Sequence, residues 1–177
     1  MPPCLPSYEV GSLVFEPFLG LCTVINWMEE TVLGVHQSFY ELQPGQGNAR
    51  VKVPASQMPS RGIRTLMSAE QLETILTTTP SANASDDGEI PRQHRWTRLV
   101  RSEQRLGAYE FLQEWRNLES SGANFNSKES EMREKIQKTV VQEIARVFQI
   151  SLGKASLRLS RWLEPAKALR EGKRKHV

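Results

Sequence analysis

Apolar and polar residues alternate over short runs through the first sixty positions. Tyr8 to Phe15 and Leu21 to Trp27 are rich in Val, Leu, Phe and Thr, and Pro17 to Gly20 between them has turn composition, which predicts a hairpin. Gly34 sets off Ser38-Phe39-Tyr40-Glu41-Leu42, and Pro44-Gly45-Gln46-Gly47-Asn48 then precedes Ala49 to Val53, where apolar and basic residues alternate again. Four or five strands joined by tight turns make a small, strongly bent sheet or barrel. Its expected core is Val10, Leu13, Phe15, Val24, Phe39, Leu42, Val51 and Val53. No helix carrying Lys-Ser/Thr follows Gly45-x-Gly47, so that pair reads as a hairpin turn and not as a phosphate loop.

After Gly62 the period lengthens. Ser68 before Ala69-Glu70-Gln71 predicts a capping box, with Leu72, Ile75 and Leu76 as the buried stripe of a helix. Thr, Ser, Asn, Asp, Gly and Pro then fill a stretch with almost nothing to bury, the composition of a linker. Pro91 suits a first helical turn. A helix over Ala108 to Ser120 buries Phe111, Leu112, Trp115 and Leu118. A longer one over Lys128 to Gln149, with Ser127 as its cap, buries Met132, Ile136, Val140, Ile144, Val147 and Phe148. A last helix follows Ser151, with Leu157, Trp162 and Leu163 inside and Pro165 near its end. The fold class expected is α+β: a bent β-sheet over residues 1–77, a linker at 78–90, an all-α bundle of four to five helices over 91–166, and a basic tail at 167–177.

Charge sharpens this division. Residues 1–80 hold four basic and seven acidic side chains, whereas the remaining residues hold 19 and 13, so a net charge of +3 hides a negative first part and a positive second one. Such asymmetry predicts two partners, the second a polyanion. No apolar run approaches the roughly 18 residues of a membrane span, and the start lacks a secretory pattern, so the cytoplasm is the expected compartment. Cys4 and Cys22 are read as two thiols of a reducing compartment, with a single bridge as the alternative.

Enzymatic signatures are absent from the pattern. His36, His94 and His176 are scattered, no nucleophile-base or metal-ligand spacing occurs, and neither a cofactor nor a small-molecule substrate is expected. What stands out is Arg92, Arg95, Arg98, Arg101 and Arg105, five arginines within fourteen residues at helical spacing. On one side of a helix they would hold phosphates, with a log-log salt slope of roughly −4 at about −0.9 per contact. Trp96 among them has two readings: a core indole packed beneath the arginines, or a wedge set against a base step in the minor groove. Lys173-Arg174-Lys175 in the tail could add phosphate contacts.

Eight segments in order resemble the CarD/CdnL family of bacterial transcription regulators, whose first domain is shared with the transcription-repair coupling factor. Tyr8-Glu9-Val10-Gly11-Ser12-Leu13-Val14-Phe15 is similar to the family's F-x-x-G-D-x-V-V start, and Pro17-Phe18-Leu19-Gly20 stands at its P-x-H-G. Val51-Lys52-Val53-Pro54, Gly62-Ile63-Arg64 and Ser68-Ala69-Glu70-Gln71 resemble V-x-V-P, G-L-R and S-x-E-E. Arg95-Trp96-Thr97-Arg98 resembles the W-S/N-R-R segment, Arg116-Asn117-Leu118 stands at R-D-L, and Glu129 with Glu143-Ile144-Ala145 keeps the spacing of E and E-L-A. The resemblance implies a Tudor-like domain docking on the RNA polymerase beta subunit, and a helical domain touching promoter DNA at the upstream edge of the melted region so that open complexes are stabilised. On matching positions Trp96 would be the wedge, Arg98 and Arg101 would hold phosphates with Arg92, Arg95 and Arg105 beside them, and Lys52, Arg50 and Glu30 would face polymerase. Glu16, Leu19, Cys22, Glu30 and Asn117 depart from the family's usual residues. A sequence-independent DNA-binding protein and a protein-protein adaptor are the alternative functions.

Overall fold

A computed structural model describes residues 8–45, 47–78, 90–102 and 106–164. Five antiparallel strands come first: β1 (Leu13–Glu16), β2 (Gly20–Val32), β3 (Val35–Pro44), β4 (Val51–Pro54) and β5 (Arg64–Thr65), in the sheet order β4-β3-β2-β1-β5. Two single-turn 3-10 segments, Ala55–Gln57 and Pro59–Arg61, link β4 to β5. Five helices follow: α1 (Ala69–Thr77), α2 (Arg92–Val100), α3 (Gly107–Ser120), α4 (Ser127–Phe148) and α5 (Leu152–Trp162). The fold is mixed α+β, and none of the described helices is long and apolar enough to cross a membrane.

The alternation of β1 explains how sheet and helices join. Successive side chains of a strand point to opposite faces. Val14 enters a core with Cys22, Val24, Tyr40, Leu42 and Val53 of the neighbouring strands and with Met58 and Ile63 from the connection between β4 and β5. Phe15 enters the other core, made with Met67, Leu72 and the inward faces of α2 to α5, against which Leu21 and Phe18 also pack. Sheet and helices therefore share apolar surface through β1 and the turn that follows it.

Parity also corrects part of the expected sheet core. Val24, Leu42 and Val53 are buried as expected. Val10 is 61% exposed because it lies in the turn before β1 and not in the strand, which begins at Leu13. Phe39 is buried beneath Lys52 Nζ, 4.5 Å from its ring centroid, while its neighbour Tyr40 joins the core with Val14. A register shift between Val24 and Asn26 re-phases β2 against β3. Beyond the reach of β1 and β4, β2 and β3 continue as a two-stranded arm, turning at Leu33 (φ 53°) and Gly34 (φ 80°).

Helix boundaries follow the caps. Ser68 Oγ accepts from Gln71 N and the Gln71 side chain accepts from Ser68 N, the capping box expected. For α4 the cap is Asn126, one residue before the Ser127 expected, because Glu129 at N3 completes a box with Asn126. In α5 Leu157 is 54% exposed, and Ala155 and Leu159 are the buried residues. Pro165 and the tail, with most of the expected linker, lie outside the described residues.

One carboxylate ties the layers together. Glu143 on α4 is fully buried and accepts a two-pronged hydrogen bond from Arg64 of β5, Nη1 at 2.6 Å and Nη2 at 2.9 Å. Tyr109 of α3 donates its hydroxyl at 3.0 Å and Met67 its backbone N–H at 3.3 Å. The Arg64 guanidinium lies 4.4 Å from the Phe15 ring centroid. Burial, then the Glu143 charge and hydrogen bond, push the Tyr109 phenol well above its ordinary pKa, against the opposing pull of Arg64.

Removing one partner of such a pair strands a buried charge, so Glu143→Ala is expected to cost about 3–5 kcal/mol in urea unfolding; a loss below about 1 kcal/mol would show that the network is dispensable. Burial, with the Glu16 charge adding to it, pushes the Cys22 thiol up to about 12. Iodoacetamide should therefore leave Cys22 unmodified in the native protein and label it only as the protein unfolds; rapid native labelling by mass spectrometry would contradict this.

Candidate nucleic-acid interface

The arginine segment forms α2, a helix of nine residues that starts after Pro91 and stops at Val100, with Arg101 as its C-cap. Two glycines hold its last turn close. A Cβ at Gly107 would overlap Leu99 O, and one at Gly62, where φ is 73°, would stand 2.9 Å from Val100 O. Helix α2 is thus wedged between the end of the 3-10 segments and the start of α3.

Three-residue spacing does not keep side chains on one face. Each step falls about 60° short of a full turn, so residues 92, 95, 98 and 101 wind halfway round the helix, and Arg92 lies beside Trp96 and not opposite it. The outcome is a division of labour. Arg92 donates to both oxygens of Glu129, at 2.9 and 3.0 Å, and to Asn124 O at 2.8 Å. Its guanidinium covers the Trp96 ring at 5.2 Å and the Phe125 ring at 5.1 Å. Arg95 is paired with Glu114 of α3. Arg98 and Arg101 are exposed, Arg101 lying over the Phe18 ring at 5.2 Å. Arg105 is outside the described residues. The expected single stripe of five phosphate-binding arginines is therefore corrected: two are engaged within the protein and two face outward.

Trp96 is 0% exposed. Its ring meets Phe111 edge-on at 5.2 Å, Trp115 at 5.4 Å and Phe125 at 6.4 Å, and Trp115 stacks on Phe125 at 3.7 Å. The wedge expectation is overturned, since a ring with no open surface cannot enter a base step, and the core-indole reading holds. Its Nε1–H has no hydrogen-bond partner among the described residues. The Arg92 hydrogen bonds hold Glu129 below the usual carboxylate range, against the opposing effect of burial. Phe125 and Glu129 complete this cluster; the Asn126-x-x-Glu129 spacing was the available signal for Glu129, while Phe125 sits in a connection with no period to reveal it.

The sequence missed Arg61. It closes the second 3-10 segment next to Gly62, and with Arg101 its charge acts on Glu16, which is 3% exposed. Glu16 accepts from the backbone N–H groups of Phe18 and Leu19, and burial raises its carboxyl pKa against these bonds and both arginines.

At the other end of the sheet, Lys52 on β4 is ion-paired with Glu30 on β2, and Arg50 lies 3.5 Å from Glu41. The structure brings Lys52 and Glu30 together, while Arg50 has a separate partner. Among the described residues β4 is an edge strand, paired with β3 alone. His36 Nδ1 is 3.0 Å from Thr31 Oγ1 in the arm, His94 is exposed on α2, and the described residues gather no group of three metal-ligating side chains. Compared with known families and with curated proteins, the chain matches no family model and no curated sequence.

Trp96→Ala is expected to destabilise the fold by about 3–5 kcal/mol, with Trp96→Phe costing less because it removes an unbonded N–H as well as volume. Urea unfolding of the two variants checks this, and a truncation that leaves stability intact would contradict the core position.

Proposed function

We propose that the chain is a non-enzymatic transcription regulator of the bacterial cytoplasm, docking on the RNA polymerase beta subunit through its sheet and holding promoter DNA phosphates with Arg98 and Arg101. The ordered resemblance to the CarD/CdnL family supports this reading, as does a five-stranded sheet followed by helices. The observation that carries it is the outer side of β4, which among the described residues pairs with no further strand and is separated from β1 by β2 and β3, so that this edge stands apart from the arginines near the β1–β2 turn. An open edge accepts an added strand, with affinity from main-chain hydrogen bonds and selectivity from side chains such as Lys52.

In the free protein Lys52 is held by Glu30, so a partner carboxylate would have to displace an internal one. That exchange is nearly balanced and favours selectivity over raw affinity. Holding DNA better in the open complex than in the closed one would shift the equilibrium by no more than that difference in affinity. The burial of Trp96 favours a second reading, sequence-independent binding of the DNA backbone without polymerase, because phosphate contacts position a protein but carry no base information.

Lys52→Glu separates the two. On the first reading it weakens binding to an isolated beta-subunit lobe by about tenfold or more while DNA binding is unchanged. Wild-type protein that binds DNA but not the lobe would establish the second.

A further inference from the structure

Ion pairs occupy seven of the described cations: Arg50, Lys52, Arg64, Arg92, Arg95, Arg116 and Arg158. Several of the remaining cations border one feature, the turn between β1 and β2. On one side Arg101 lies over the Phe18 ring, and Gly62, next to Arg61, packs against Pro17 and the Val100–Arg101 backbone. On the other side Thr139 Oγ1 of α4 donates to Pro17 O at 2.8 Å, and the Gln142 side chain lies against Gly20.

Helical spacing puts charge at both ends of that second contact. Lys135, Thr139, Gln142 and Arg146 follow one another at intervals of four, three and four residues and so form one ridge of α4. Its two middle residues touch the turn, while Lys135 and Arg146, both exposed, stand about 16 Å apart along the helix on either side of it. The turn's own carboxylate, Glu16, is bent inward onto backbone N–H groups and withdrawn from the surface. Glu131, one turn before Lys135, and Glu134, next to it in sequence and about 100° round the helix, are exposed carboxylates that weaken this field from the same helix.

We infer that Arg61, Arg101, Lys135 and Arg146 frame the β1–β2 turn as one phosphate-binding surface that takes the backbone of duplex DNA. The inference deepens the DNA half of the proposed function and rests on it: the duplex crosses the junction of sheet and helices and does not stop at α2. Duplex DNA fits better than an acidic protein or a lipid surface. At the centre of the frame are backbone and the single exposed apolar side chain Leu19, whereas a protein interface needs an apolar core and a membrane surface needs several inserted apolar groups. The separation of Lys135 and Arg146 is comparable with the about 12 Å width of a major groove, across which phosphates of both strands can be reached.

The test is fluorescence anisotropy of a labelled mixed-sequence duplex with the full chain across a salt series, comparing wild type, Lys135→Glu/Arg146→Glu and Arg98→Ala/Arg101→Ala. Urea midpoints matching wild type show that the α4 variant is folded. The expected result for the α4 pair is a Kd raised about tenfold or more and a log-log salt slope shallower by about 2. An α4 variant binding like wild type, with the α2 pair defective, overturns the frame and leaves the proposed function standing. Wild-type protein that does not bind the duplex overturns both. An α4 variant that keeps duplex binding but loses binding to phosphatidylserine vesicles overturns the duplex assignment in favour of a lipid surface.

Discussion

A fully buried carboxylate needs hydrogen-bond partners for both its oxygens, and in this protein those partners join the two halves of the chain. Glu143 is satisfied only when β5 supplies Arg64, α3 supplies the Tyr109 hydroxyl and the segment before α1 supplies the Met67 N–H. These groups come from positions up to 79 residues away, so the bond set forms only when the sheet, α3 and α4 are all in place. A hydrophobic replacement of the pair could be as stable, because desolvation offsets much of the attraction. What the ion pair adds is an arrangement in which any other docking of sheet on helices leaves a charge without its partner.

That constraint fixes what lies outward. With β1 sandwiched between two cores through Val14 and Phe15, the turn after it is pressed against α4 by Thr139 and against the end of α2 by Gly62. Helix α2 then has little freedom. Its inward face is taken by Trp96 and Val100, and its first arginines are drawn to Glu129 and Glu114. Arg92, about 40° round the helix from the buried indole, is half-buried against it, and Glu129 of the α4 capping box supplies the carboxylate that pairs with it. The arginines free to meet a ligand are those further round the helix and beyond its end.

Much of the fold was legible because it is written in local patterns. Ser68-x-x-Gln71 marks the start of α1, the four-residue recurrence of Ile136, Val140 and Ile144 marks α4, and the turn residues divide the strands. Facing was harder to read. In a β-strand a shift of one residue exchanges the faces, and nothing local says whether Val14 or Phe15 turns toward the helices, since both are apolar and both are buried. The arginine segment misled for a related reason: five cations at three-residue steps look like a face until the shortfall per turn is added up, and the carboxylates that claim the first two are 19 and 37 residues further on. Composition gives only an excess of positive charge in the second part of the chain, while which cations are already paired is decided by the tertiary arrangement.

The burial of Trp96 changes the physics available for DNA recognition as well as the identity of one contact. A ring inserted at a base step reads the deformability of that step and depends on its sequence. Guanidinium and ammonium groups on phosphates read little more than the backbone, and their hold loosens steadily with salt. On the proposed reading, selectivity for promoters therefore enters through the partner docked at β4, which delivers the cations to one stretch of duplex, and the chain contributes attraction at a place it does not itself choose. The two ends of the sheet are then unequal in role: the edge at β4 decides where, and the cations around the β1–β2 turn decide how strongly.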